Sequence, residues 1–105
     1  MYRFKLEALL NHRRHQEEAC QKDLALSQRK LGNEKEKLNR KKKEKREQVQ
    51  KLQMKQKESI AVNDIILRLN YIQQLSQDIL IQSICVQEYI DEVNQKREAL
   101  ITIMK

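Results

Sequence analysis

The stretch IILRLNYIQQLSQDILIQSICVQEYIDEVNQKREALITIM, residues 65–104, contains neither glycine nor proline and places Ile65, Ile72, Ile79, Val86, Val93 and Leu100 at unbroken intervals of seven. A second row, Leu69, Ser76, Ser83, Ile90, Arg97 and Met104, interleaves with it at alternating spacings of four and three. Spacing of that kind over nearly six heptads predicts a coiled-coil helix, because it keeps one apolar seam facing a partner helix. Ser76 and Ser83 enter the seam as small polar residues, which lysine stems from a facing helix could cover while their ammonium groups reach water.

Upstream, the chain offers a helix of different character. Leu10, Leu24, Leu31, Leu38 and Leu52 form a ladder at multiples of seven, interrupted by Glu17 and Lys45. The companion row is mostly polar, with Cys20 and Ser27 on it and Val49 only near its end. Such a thin seam is weakly stable alone and needs a partner helix. Gly32-Asn33 interrupts neither neighbour of the Leu24–Leu31–Leu38 ladder, and one glycine costs a helix only about 1 kcal/mol relative to alanine. A continuous first helix follows.

Ser59, Asn63 and Asp64 are the best capping residues between the two patterns. They predict a helix over about 3–57, a turn at about 58–63 and a helix over about 64–105. At 1.5 Å per residue these arms are about 80 and 65 Å long, and they can meet only as an antiparallel pair. The expected fold is therefore all-α, a long antiparallel two-helix coiled coil occupying residues 1–105 as a single hairpin. Facing residue numbers should sum to about 122. That register leaves the first dozen residues unpaired, although Phe4, Leu6, Leu9 and Leu10 are the most apolar cluster of the first arm. Either the natural chain continues past Lys105, which is the favoured expectation, or this end docks on something else.

Composition agrees with long helices. The chain has 105 residues, no proline, one glycine, 4% aromatic and 35% charged residues, which suits helical rods better than globular cores. The net charge of +7 is concentrated: residues 34–58 hold 11 Lys/Arg against 5 Asp/Glu. A basic arm raises the possibility of phosphate binding. Against it, the acidic residues sit at helical pairing distance, in Glu36–Arg40, Arg40–Glu44, Lys43–Glu47 and Glu47–Lys51, and no aromatic lies within 34–58 to stack on a base. A solvated arm is the better reading, with a basic nucleic-acid-binding coiled coil as the alternative.

Other constellations reduce to ordinary surface. His12 and His15 supply two imidazoles at most, and no second cluster completes a tetrahedral metal site. No nucleophile–base set and no glycine-rich phosphate loop occurs, so neither catalysis nor a cofactor is expected. Cys20 and Cys85 should remain thiols, about 25 Å apart in the predicted register. No stretch reaches the length of a membrane span, the N-terminal apolar run is too short for a signal peptide, and a reducing cytosol is the simplest compartment.

The second arm is richer in apolar residues than a two-helix seam requires. Leu75, Tyr89 and Ile103 flank one side, Ile66, Leu80 and Ile101 the other, and Leu67, Ile81 and Ile84 point further out. Two readings remain: a wide stripe packed on the first arm or self-associated as a four-helix bundle, and a helix face that seeks a partner protein.

Two segments carry a resemblance. Phe4-x-Leu6-Glu7-x-Leu9-Leu10-x-x-Arg13, followed by Glu17-Glu18 and Leu24, and Tyr71-Ile72-x-x-Leu75-x-x-x-Ile79-x-x-Gln82 resemble the FliJ family, the small coiled-coil component of the bacterial flagellar type III export apparatus. The resemblance implies a non-enzymatic antiparallel coiled coil similar to the central stalk of rotary ATPases. It implies binding to the hexameric export ATPase through Phe4, Leu6, Leu10, Arg13, Arg14 and Glu17. It further implies contact with the cytoplasmic domain of the export gate membrane protein through Tyr71, Leu75, Asp78 and Gln82. Service to export cargo chaperones and a cytoplasmic location, peripheral to the inner-membrane apparatus, follow from the same likeness. Stalk proteins of virulence type III secretion share this architecture and are a second alternative.

Overall fold

A computed structural model describes residues 2–56 and 61–104. They form two helices, α1 from Tyr2 to Gln56 and α2 from Val62 to Met104, and no strand occurs among them. The helices run antiparallel as a coiled-coil hairpin: stepping back along α2 from Gln82 to Tyr71 moves the partner forward along α1 from Glu34 to Glu44. Residues 58–60 of the expected turn lie outside the described residues.

Helix α1 passes through Gly32 without a break, and Gly32 keeps a negative φ. At the start of α2, the main-chain N–H groups of Asp64 and Ile65 donate to the carbonyl of Ala61, at 3.0 and 3.4 Å. Ala61 thus holds the capping position, and Asn63 and Asp64, expected as caps, stand inside the first turn. There the Asp64 carboxylate complements the positive end of the helix dipole. Lys55 does the converse in the last turn of α1.

The chain divides into two compact units, each drawing on both helices. The first comprises Met1–Gly32 with Glu88–Lys105. Its interior is made by Val93, by Ser27 (1% exposed) and by half-buried Cys20, Leu24, Leu31 and Leu100. The second unit comprises Asn33–Gln87, and its interior is Leu52, Leu75, Val86 and Gln82, with Leu38, Ile65, Ile72 and Ile79 half-buried.

On α1 the inward rows are 17-24-31-38-45-52 and 20-27-34-41-48-55, so the leucine ladder faces α2 from Leu24 to Leu52, and Leu10 stays exposed. The companion row reads Cys, Ser, Glu, Lys, Gln, Lys. Lys41, Lys45 and Lys55 on these rows are half-buried, as lysines are when the stem covers apolar surface and the charge stays in water.

On α2 the Ile65–Leu100 row is inward, and the second row differs from the expected one. It runs 68-75-82-89-96-103, one residue earlier than Leu69-Ser76-Ser83-Ile90-Arg97-Met104. Leu69 and Met104 are exposed, whereas Leu75 is buried. The serines need no lysine cover, because the Ser76 hydroxyl donates to the carbonyl of Ile72 (2.9 Å) and that of Ser83 to Ile79 (2.8 Å). What decides the row is polar complementarity. Gln82 and Lys96, which look unsuited to a seam, find acceptors on α1, and the register follows them. Gln82 pairs with Glu34 and Tyr71 with Glu44, numbers that sum to 116 and 115. In the other unit Lys96 meets Asp23 and Ser27, sums of 119 and 123, against the expected 122 or so.

Candidate functional sites

The N-terminal end of α1 presents the first candidate face. Every residue from 3 to 16 is exposed, and Glu17 is the first half-buried one. Phe4 is 76% exposed, and Leu6, Leu9 and Leu10 are about half exposed or more. The structure therefore leaves Phe4, Leu6, Leu10, Arg13 and Arg14 uncovered along one end of a continuous helix, Phe4 on the side away from Leu6, Leu10 and Arg13. Surface of this kind gains free energy only when a partner covers it, at about 25 cal/mol per Å².

The second candidate face lies on α2 between Tyr71 and Gln82, and the structure splits its expected members. Tyr71 is 43% exposed on the flank and Asp78 half-buried beside it. Leu75 and Gln82, at 6% and 9% exposed, face α1. Tyr71 donates its hydroxyl to Glu44 on α1, which raises the phenol above its ordinary pKa of 10.0, chiefly through that hydrogen bond. Asp78 accepts from the side-chain N–H of Gln74 at 3.2 Å. An aromatic ring fixed by a hydroxyl anchor, next to a carboxylate, makes a preorganised polar–apolar contact point.

Below that flank, Gln82 donates to both the main-chain carbonyl of Glu34 (3.1 Å) and its carboxylate. Glu34 is held below its usual pKa of 4.5, first by Gln82 and then by Lys37, whose ammonium is 3.3 Å away. The Cys85 thiol also approaches the Glu34 carboxylate, at 3.9 Å. In the other unit, Lys96 donates to Asp23 (3.0 Å) and Ser27 (2.7 Å) and pairs with Glu92 (3.1 Å). The bond to Asp23, and after it that to Glu92, raises its pKa above 10.5. Sequence reading missed Glu34, Glu44 and Lys96, since nothing local distinguishes them from the other charges on the surface.

The basic arm carries an open groove of about 540 Å³ lined by Lys42, Lys45, Arg46, Val49, Gln50 and Ile79. Of the expected ion pairs Glu36–Arg40 closes, at 4.0 Å, and Glu44 turns to Tyr71. His12 and His15 are exposed, and no group of three or more His, Cys, Asp or Glu among the described residues could hold a metal ion. Cys20 and Cys85 are both half-buried thiols. No described helix is long and apolar enough to cross a membrane.

The family model for the flagellar FliJ protein matches residues 2–105. No curated protein and no solved structure matches the chain.

Proposed function

The chain belongs to the FliJ family and is thus a component of the flagellar protein-export apparatus, and we propose that it works there as a stalk-like coupler between an ATPase ring and an export gate. Phe4, Leu6, Leu10, Arg13, Arg14 and Glu17 engage the hexameric export ATPase. Tyr71 and Asp78 meet the cytoplasmic domain of the gate, with Leu75 and Gln82 beneath them fixing the backbone that presents them. Residues 1–105 act as one hairpin, located in the cytoplasm and bound to the inner-membrane apparatus through these partners, export chaperones among them.

The observation that carries this reading is the run of fourteen consecutive exposed positions, 3–16, that includes Phe4, Leu6, Leu9 and Leu10. A coiled coil bends little, so contacts made at its end and on its flank bias the orientation of both partners without chemistry of its own. The family is non-enzymatic, and coupling here is differential binding.

The test is ATP hydrolysis and ring assembly by the cognate export ATPase, measured with and without the protein, together with pull-down of the gate's cytoplasmic domain. Faster hydrolysis and ring formation, lost in the Phe4→Asp/Leu10→Asp variant, are the expected result. No change in either, with no pull-down, would sink the proposal. Salt-sensitive micromolar binding to non-specific DNA would instead favour the nucleic-acid alternative.

A further inference from the structure

The side of α2 turned away from the seam, from Ile66 to Ile84, contains no charged residue. Its three adjacent rows are Ile66-Gln73-Leu80, Asn70-Gln77-Ile84 and Leu67-Gln74-Ile81, and all nine positions are exposed. Leu67, Leu80 and Ile81 are each about two-thirds exposed. Elsewhere on the chain charge dominates, with 35% charged residues and an excess of +6 within 34–58. A run of nine outward positions without one Lys, Arg, Asp or Glu therefore needs a cause.

The order of residues on this face supplies one. Read from its midpoint between Gln73 and Gln74, eight of the nine positions mirror in kind: Ile66 mirrors Ile81, Leu67 mirrors Leu80, Asn70 mirrors Gln77 and Gln73 mirrors Gln74, while Ile84 falls opposite Asn63 at the end of the strip. In an isologous contact residue i of one copy meets residue j of the other and j meets i, so a palindromic order sets like residues against like across the axis. Laid antiparallel about a two-fold axis at Gln73–Gln74, two copies bring each Ile/Leu pair onto the other copy's Ile/Leu pair. Four amides from each copy, those of Asn70, Gln73, Gln74 and Gln77, fill the middle, where they can donate to and accept from their counterparts, with one N–H of Gln74 already given to Asp78 beside the face. Every layer sets a residue from one edge of the face against one from the opposite edge, so side chains interdigitate and do not collide.

We infer that this face is a homodimer interface, a second copy of this chain docking antiparallel along Ile66–Ile84. Charge favours that occupant. The uncharged face is one on which two chains of net charge +7 can meet without apposing like charges, and salt, by screening the basic arms, should tighten the contact. The strip is about 28 Å long at 1.5 Å per residue, which puts its area at the small end of specific interfaces. The dimer is accordingly reversible, with a dissociation constant between roughly 1 µM and 1 mM. It does not depend on the coupling role proposed above and can fail without affecting it.

Sedimentation equilibrium of the full chain over a concentration series, at low and high salt, tests this. A monomer–dimer equilibrium strengthened by salt is expected, and Leu80→Lys/Ile81→Lys should weaken it by roughly a hundredfold or more, since each copy would bury unpaired ammonium groups. Thiol cross-linking in a Cys20→Ser/Cys85→Ser background fixes the geometry. Gln74→Cys, next to the axis, should form a disulfide with itself. Ile66→Cys should not, its counterpart being about 22 Å away, yet it should link to Leu80→Cys in a mixture of the two. A monomer at every concentration, a dimer indifferent to the lysines, or Ile66→Cys linking to itself would each overturn the inference. Circular dichroism of the lysine variant guards against loss of fold, and the cross-links decide the matter even if that variant unfolds.

Discussion

Gln82 on α2 reaches across the seam to Glu34 on α1, giving its amide N–H groups to both the main-chain carbonyl (3.1 Å) and the carboxylate. A helix carbonyl is ordinarily spent within its own helix, and here it accepts a second bond from outside. The contact specifies which layer of α2 lies opposite which layer of α1. A polar pair inside a coiled-coil seam fixes register at some cost in stability.

Replacing Gln82 by alanine should therefore destabilise the hairpin by about 1.5–3 kcal/mol, the usual loss for a hydrogen bond to a charged group. The double variant Gln82→Leu/Glu34→Leu should go the other way, melting higher than the parent, because apolar residues of similar volume outperform a part-buried polar pair. Thermal denaturation followed by circular dichroism reads both. A double variant that melts below the parent would show that the pair contributes net stability and does not merely set register.

The same carboxylate makes the fold sensitive to acid. Its folded pKa lies below the ordinary 4.5, with Gln82 the first cause, so the carboxylate contributes stability above about pH 4.5 that is lost as pH falls through the folded value. Lys96 has the opposite sign: its pKa is raised above 10.5, and its contribution is complete below that pH and lost as pH rises through the folded value. Tyr71, raised above 10.0 by Glu44, adds to the alkaline limb. Melting temperature should then be flat through neutrality and fall at both extremes. Glu34→Gln should flatten the acid limb alone, and Lys96→Met should soften the alkaline limb, leaving the part due to Tyr71. The same acid slope in parent and Glu34→Gln would refute the assignment.

Helix content and the Ile65–Leu100 row could be read from the sequence because apolar residues at strict sevens admit one interpretation. The other row of α2 could not. Leu69-Ser76-Ser83-Ile90 and Leu75-Gln82-Tyr89-Lys96 fit the spacing equally well, and the first looks the more apolar. The choice is tertiary: Glu34 and the Ser27–Asp23 pair on α1 supply partners for Gln82 and Lys96, while Ser76 and Ser83 satisfy themselves on their own helix. The exposed cluster at Phe4–Leu10 was legible because facing numbers near 122 leave the first dozen residues of α1 without a facing stretch of residues 64–105. The anchoring of Tyr71 was not, because Glu44 appeared committed to Arg40.

The observed register separates neighbours sharply, and this can be checked with two truncations. Val86 is buried and Ile84, two residues away, is more than half exposed. Val86→Ala should cost about 1–2 kcal/mol through lost burial. Ile84→Ala should stay within about 0.5 kcal/mol for the isolated hairpin, as surface substitutions do. Equal losses from urea denaturation at a protein concentration low enough to keep the chain monomeric would mean that α2 is rotated from the arrangement described.

Gly32 offers a gain. It lies inside α1 with negative φ, and a Cβ built there meets nothing within 4 Å. Alanine removes backbone freedom from the unfolded chain without a clash. Gly32→Ala should stabilise the fold by about 0.5–1 kcal/mol, seen as a higher urea midpoint at unchanged slope. An unchanged or lower midpoint would show that the helix needs glycine at that point for a reason its surroundings do not reveal.

Function and stability should come apart most cleanly at the N-terminal end. Phe4 and Leu10 are exposed and Leu24 is half-buried, although all three read as apolar positions of one helix. Aspartate at positions 4 and 10 removes apolar surface that only a partner can cover, so the melting temperature should move by no more than a degree or two. Binding to the export ATPase should fall by at least about tenfold, since each fully covered Phe or Leu side chain is worth about 1.5–3 kcal/mol. Leu24→Asp should do the reverse, lowering the melting temperature first and binding only as the fold is lost. Titration of the ATPase with the three proteins, beside their melting curves, distinguishes the cases. If Phe4→Asp/Leu10→Asp binds like the parent, the exposed end is not the docking surface, and the ATPase must be met through the flank at Tyr71 and Asp78 or through the basic groove beside Val49.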